Sequence, residues 1–380
     1  MKRLTHLRRD ERGMSFVFIG MGFVSFLAAT TLAIDVGMLM TARNQAQNAA
    51  DAGALGGAVA LVYNSYTDRS ASGPAVRSAV SSAQANQVMR EPVSVGPADV
   101  MFLTDDGGQP NRVQVQVFRN AERGNPLSML IGQMFGVQTA NITATATAEV
   151  APSNAASCIL PFTIPDKWVE RQTPAWDPSD TFNAFPSNPS VQPDLYRGAD
   201  HSSATGYRIA NDVGLQLTLK AGTGTNIAPS MYFALALPGN SGANDYEWAI
   251  ANCNTAVVHW GDPLVQEPGN MVGPTAQGVR DLIALDPAAR WDPVQQKVVD
   301  SAYGRSPRIK LVPLFDPLYW NQGKMNGRPA DLKAANFLGF FVEGLQGHDV
   351  MGRVVPATAQ LDTSAPVPVN SFARSIRLVE

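Results

Sequence analysis

Residues 14–62 read MSFVFIGMGFVSFLAATTLAIDVGMLMTARNQAQNAADAGALGGAVALV and contain two features that decide the fold. The first 21 residues, Met14 to Ile34, include no charged side chain. At a rise of about 1.5 Å per residue, a helix of this length spans a hydrocarbon core of about 30 Å. Residues 35–62 contain no proline and much alanine, the strongest helix former. The stretch therefore predicts a transmembrane helix over 14–34 that continues as an alanine-rich helix over 35–62.

Basic residues are concentrated before the apolar span. They are Lys2, Arg3, Arg8, Arg9 and Arg12, opposed by Asp10 and Glu11. Because positively charged flanks stay in the cytoplasm, we expect residues 1–13 to be cytoplasmic and the chain after residue 34 to lie outside. A cleaved signal peptide is the alternative, but its apolar stretch runs about 7–15 residues and ends at an Ala-x-Ala-like site. The longer stretch here, and the poor site at Ala28-Ala29-Thr30, favour an uncleaved anchor.

Small residues recur at every fourth position of the predicted helix. One row is Ser25, Ala29, Ala33 and Gly37, and a second is Ala42, Ala46 and Ala50, followed by Gly53 and Gly57. Such rows let helices approach closely inside membranes. The alternative is that these residues only fill an alanine-rich helix. Gly37 and the Gly56-Gly57 pair are candidate points at which the helix bends or ends.

Three motifs follow one another along this segment. Arg12-Gly13 precedes the apolar span, Asp35-Val36-Gly37 follows it, and residues 43–55 read RNQAQNAADAGAL, including Gln45 and Asp51. In this order they resemble the N-terminal segment of the TadE/TadG-like proteins of the tight-adherence (Flp) pilus apparatus, and most closely TadG. The resemblance implies an accessory protein of the bacterial inner membrane that is not an enzyme and needs no cofactor or metal. Its implied partners are other tight-adherence assembly membrane proteins, pseudopilins or pilus subunits, and the lipid bilayer.

One position departs from the pilins and pseudopilins of this system. Those proteins are cut after a glycine and carry glutamate at the fifth position of the mature chain, where this sequence has Phe18 after Gly13. TadG-like proteins generally keep the glycine without the glutamate. The resemblance therefore implies a membrane-tethered accessory protein, and not a fibre subunit.

Residues 63–150 carry mixed helix and strand patterns. Pro74 opens a helix that we expect to run to about Gln87. Residues 112–118 alternate as a strand, 126–135 are expected to form a short apolar helix, and 139–150 alternate again. We expect α+β architecture: the long helix, a small pilin-like domain by analogy, and then an outer domain.

The outer domain is expected to be mainly β and to cover residues 155–380, after a turn-rich linker at 151–154. A helix is expected at 275–285, with Pro274 at its start. The proline spacing argues against long central strands. Strands are expected at 214–219, 231–237, 256–260, 308–313, 336–343 and 350–356.

Two cysteines, Cys158 and Cys253, lie in this expected outer domain. An oxidising periplasm favours a disulfide between them. It would close a loop of about 95 residues and contribute about 4–5 kcal/mol in the entropic model. Two buried free thiols are the alternative.

The composition excludes some classes of protein. Charged residues make up 16% of the chain and the formal net charge is −3. Proteins that bind nucleic acid by bulk charge are strongly basic, so we expect no nucleic-acid partner.

The sequence contains no H-E-x-x-H, G-x-S-x-G or P-loop motif. The alternatives to an accessory role are a surface adhesin and a membrane-tethered periplasmic hydrolase. The hydrolase would need two or three of five residues within hydrogen-bond reach of one another. These residues are Asp200, His201, His259, Asp262 and His348.

Overall fold

The computed structural model describes residues 12–172, 177, 180–222, 226–239, 242–325 and 331–379. The basic residues Lys2 to Arg9 lie outside them. The α-helices are α1 (Arg12–Tyr63), α2 (Pro74–Gln84), α3 (Ile209–Asp212), α4 (Ala243–Ala251), α5 (Val272–Leu285) and α6 (Pro317–Met325), with 3₁₀ helices at Pro97–Asp99 and Gly132–Phe135.

The strands are β1 (Gln87–Val88), β2 (Glu91–Pro92), β3 (Val100–Leu103), β4 (Arg112–Arg119), β5 (Leu127–Ser128), β6 (Thr139–Ala140), β7 (Ile142–Pro152), β8 (Ala155–Ala156), β9 (Phe162–Pro165), β10 (Gln216–Ala221), β11 (Met231–Ala234), β12 (Val258–His259), β13 (Pro263–Leu264), β14 (Arg290–Asp292), β15 (Lys297–Val299), β16 (Ile309–Phe315), β17 (Leu332–Gln346), β18 (Asp349–Val354) and β19 (Arg374–Val379).

Helix α1 is continuous over 52 residues. This confirms the prediction that the apolar span continues into the alanine-rich segment. The expectation that the helix ends at Gly37 or at Gly56-Gly57 is wrong, since the helix passes through all three glycines. At Gly53 and Gly57 the reason is packing: both are buried where α2 and strand β4 approach α1 closely.

The alanine-rich half of α1 packs with α2 on an antiparallel sheet whose strand order is β19-β7-β4-β3. We call this unit the helix–sheet layer. Strand β4 alternates between buried and half-buried residues, and its valines Val113, Val115 and Val117 belong to the core. The short helix expected at 126–135 is wrong: β5 pairs with β6, and only Gly132–Phe135 is helical, as a 3₁₀ turn. Gly136 follows that turn in the left-handed region, at φ 81°.

The sheet takes residues from both sides of the boundary expected at 151–154. Strand β7 runs through Pro152, and β19 pairs with it from Arg374↔Pro152 to Val379↔Thr147. No turn-rich linker follows: Ser153 and Asn154 are buried. The Ser153 hydroxyl donates to the Ala373 carbonyl at 2.8 Å, and the Asn154 amide donates to the Asp362 carbonyl at 2.8 Å.

A closed β-barrel forms the larger part of the molecule. Its strand order is β17-β16-β9-β11-β10-β18, and β18 returns to pair with β17. The pairs β9/β16 and β10/β11 are parallel and the others are antiparallel. Closure depends on β17, a 15-residue strand whose register shifts between Val342 and Gly344 while it pairs with both β16 and β18.

The expectation that prolines prevent long strands is therefore wrong for β17, because residues 330–355 contain no proline. The barrel and the helix–sheet layer share one continuous hydrophobic core. Cys158 and Cys253 are joined by a disulfide.

Candidate functional site

The apolar half of α1 stands away from the rest of the molecule. Large side chains such as Phe16, Phe18, Ile19 and Phe23 are exposed along it. One helix among the described residues, Ser15–Tyr63, is long and apolar enough to cross a membrane. Because so much apolar surface is unfavourable in water, this half is the first candidate for a functional surface.

The first row of small residues lies on this exposed half. Ser25, Ala29, Ala33 and Gly37 are all exposed. A Cβ atom placed on Gly37 would meet no atom of the described residues within 4 Å. The row is thus open to a second helix.

The second row of small residues is used inside the molecule. Ala42, Ala46 and Ala50 are fully or almost fully buried. A Cβ on Gly53 would lie 3.0 Å from the Ala83 Cβ, and one on Gly57 would lie 2.8 Å from a Val113 methyl group. Here small residues let α1 approach α2 and the sheet.

Asp35 lies where the two halves of α1 meet. Its side chain is 6% exposed. It accepts hydrogen bonds from three successive backbone N–H groups, those of Leu130 at 3.2 Å, Ile131 at 3.3 Å and Gly132 at 2.6 Å. Successive N–H groups of this kind form an anion-binding nest, so the carboxylate is compensated although it is buried.

Two glutamines continue the attachment of α1 to its own domain. The Gln45 side-chain oxygen accepts a hydrogen bond from the Met89 backbone N–H at 2.8 Å. The Gln47 amide donates to Asp51 at 2.9 Å and to the Thr145 carbonyl at 3.2 Å. Two of the motif residues singled out in the sequence, Asp35 and Gln45, therefore take part in contacts that position the helix, whereas Asp51 bonds to Gln47 within α1. Arg12 and Gly13 lie in the first turn of α1.

Residues 13–60 match the family model described as "Putative Flp pilus-assembly TadE/G-like". This segment is TadE/G-like. The TadE/G-like segment includes the open small row, Asp35 and both glutamines, and it ends within α1. No curated protein and no solved structure matches the chain. The match is to this N-terminal segment of the 380-residue chain.

Outside the TadE/G-like segment, the structure brings together only part of the residue set proposed for a hydrolase. The His259 ring lies between Asp262, at 3.5 Å from Nδ1, and Asp362, at 3.4 Å from Nε2. All three side chains are partly exposed, and the His259 ring contacts two carboxylates, which is not a nucleophile–base pair of the Ser–His or Cys–His kind. Hydrogen bonds from the Ser364 hydroxyl and backbone N–H are the main cause that lowers the pKa of Asp362, and the nearby His259 ring adds to the lowering.

His201 lies in a separate exposed turn, with its Nδ1 atom 3.1 Å from the Ser203 hydroxyl. Asp200 is exposed in the same turn, and His348 is exposed in the turn between β17 and β18. Within the described residues, no group of three or more His, Cys, Asp or Glu side chains is arranged to hold a metal ion.

Proposed function

We propose that the chain is an inner-membrane-anchored accessory protein of Flp pilus assembly, of the TadG type. Residues 1–13 lie in the cytoplasm, 14–34 cross the membrane, and the helix–sheet layer and barrel are periplasmic. The observation that carries the proposal is the division of α1. Its alanine-rich half is packed into the protein through motif residues, whereas the small row of its apolar half is open.

The open row supplies the contact surface. In a bilayer, helices associate through close packing of small residues, because lipid tails are as apolar as the helices themselves. At about 100° per residue, the middle of the row lies about 140° around α1 from Asp35. The contacts that hold α1 to its own domain therefore leave this face free for another assembly protein, a pseudopilin or a pilus subunit.

A deletion strain of the source bacterium tests the proposal. We expect this strain to lack surface pili, measured by immunoblot of sheared pili and by electron microscopy. The wild-type gene should restore them. Complementation with Ala29→Leu/Ala33→Leu should restore pili several-fold less well, because leucine on this row blocks close helix approach. The control is Ala28→Leu, which adds the same side chain about 120° around the helix from the middle of the row.

Normal pili in the deletion strain would overturn the accessory role. Full recovery with the double variant at equal membrane level, while the deletion lacks pili, would overturn only the role of the small row. Antibody access to the barrel on intact cells would point instead to a surface adhesin.

A further inference from the structure

The segment between β4 and β7 has an unusual composition. Residues 125–148 contain no charged side chain, although the chain around them does. Within it β5 and β6 form a hairpin, closed further by hydrogen bonds from the Met129 N–H to the Gln138 carbonyl and from the Val137 N–H to the Gly132 carbonyl. We call residues 130–137, at the tip of this hairpin, the tip loop.

The hairpin descends along α1 toward the apolar span. Thr145, at the start of β7, contacts Gln47, whereas Gly132 in the tip loop contacts Asp35. These helix positions are twelve residues apart, which is about 18 Å along the axis. Asp35 directly follows the last residue of the charge-free span, so the tip loop lies at the level where hydrocarbon gives way to headgroups.

Among the tip-loop side chains that the structure describes, two apolar ones face outward at this level. Leu130 is 67% exposed and Val137 is 52% exposed, while Met129 beside them is buried. Single exposed apolar residues are common on protein surfaces. What distinguishes this pair is its position at the end of the apolar span, on a segment without charge.

We propose that the tip loop inserts Leu130 and Val137 into the headgroup–acyl boundary of the membrane, as a second lipid contact beside α1. The inference rests on the membrane anchoring proposed above and adds a lipid-binding element to it. Asp35 is the positioning residue, because its carboxylate fixes the backbone of residues 130–132 against the helix.

The proposed lipid contact and the proposed protein contact lie on different sides of α1. The tip loop lies on the Asp35 side of α1, and the open small row lies about 140° away around the helix. A second lipid contact on one side fixes the rotation of α1 about its axis, so that the row faces a constant direction in the membrane plane.

Fluorescence quenching in proteoliposomes tests this directly. The two native cysteines are joined in the disulfide, so one added cysteine is a unique labelling site. We would label Leu130→Cys and Val137→Cys with an environment-sensitive dye in full-length protein, in phosphatidylethanolamine and phosphatidylglycerol vesicles with a nitroxide at acyl carbon five. Phe23→Cys in the span is the positive control, and Val294→Cys, at a 90% exposed position in the β14–β15 turn, is the negative control.

We expect quenching at positions 130 and 137 to reach at least about half of that at position 23, with none at 294. Adding Asp35→Asn should lower the quenching at 130 at least about two-fold and leave position 23 unchanged, because an amide presents one acceptor in place of two. Quenching at 23 with none at 130 overturns the tip-loop contact and leaves the anchor intact; a protein partner would then cover the loop. Absence of quenching at 23 overturns the anchor and the tip-loop contact together.

Discussion

Asp166 is the most strongly perturbed carboxyl group of the barrel. Its side chain is fully buried, and burial raises its pKa to about 7. Backbone N–H groups of Tyr207, at 3.0 Å, and Lys167, at 2.8 Å, and the Tyr196 hydroxyl, at 3.1 Å, donate to it and oppose the shift. The nearby Asp316, whose own pKa is raised by burial, adds to the shift.

Asp166 should make the protein less stable as the pH rises from about 4 to about 7. In that window the folded protein holds a proton on Asp166 that the unfolded chain has released, so the free energy of unfolding falls with pH. One such group contributes a slope of at most about 1.4 kcal/mol per pH unit. We expect Asp166→Asn to reduce the slope, measured by chemical denaturation of the full chain in detergent between these pH values. Equal slopes for wild type and variant would show that Asp166 is charged throughout.

At the level of elements, α1 can be predicted from the sequence because its signals are local. The charge-free span, the alanine content and the absence of proline all act within a few turns. The β4 alternation is local in the same way: it predicts a strand at 112–118, and the structure has one at Arg112–Arg119.

The long-range features could not be predicted from these patterns. The sequence identifies Asp35 only as a motif residue. Its three N–H partners could not be predicted, because they lie about 95 positions further along the chain. Residues 126–135 are apolar enough for a helix, yet their pairing with β6 outweighs that preference. Barrel closure depends on which strands β17 pairs with, and a one-dimensional pattern does not contain that information.

The two glycine environments of α1 give a matched pair of substitutions. Gly57→Ala should lower the free energy of unfolding by about 1–3 kcal/mol, because its Cβ would lie 2.8 Å from a Val113 methyl group and 3.1 Å from the Ala79 Cβ. Gly37→Ala meets nothing within 4 Å among the described residues and should stabilise the helix by up to about 1 kcal/mol. Denaturation of both variants in one detergent, followed by circular dichroism, checks the difference. Equal effects would mean that α2 and the sheet do not pack on α1 as described.

In the whole molecule, the order of the strands along the chain differs from their grouping in space. Strand β19 leaves the barrel region and completes the helix–sheet layer. Its Arg377 pairs with Glu149 at 2.7 Å, and Arg112 pairs with the other oxygen of the same nearly buried carboxylate at 3.0 Å. The C-terminal strand is therefore held in the helix–sheet layer by backbone pairing and by charge, and the layer and the barrel are joined by their shared core.

Removing residues 374–379 should destabilise the helix–sheet layer by at least about 3 kcal/mol, because Glu149 loses one of its two arginines and β7 loses its partner strand. Hydrogen exchange should rise most at Thr147 to Ala151 and least in the barrel strand β16. The Arg377→Ala variant of the full chain measures how much of this destabilisation comes from the ion pair alone. An unchanged exchange rate in β7 after the deletion would contradict the coupling.

The unbroken helix α1 also has a mechanical consequence. From Asp35 to Tyr63 it extends about 40 Å beyond the apolar span without an interruption of the helix. A change in tilt of about 20°, the average tilt of membrane helices, would swing its far end sideways by about 14 Å. Because the alanine-rich half of α1 packs into the core that the barrel shares, a change in the tilt of the span would displace the barrel sideways with it.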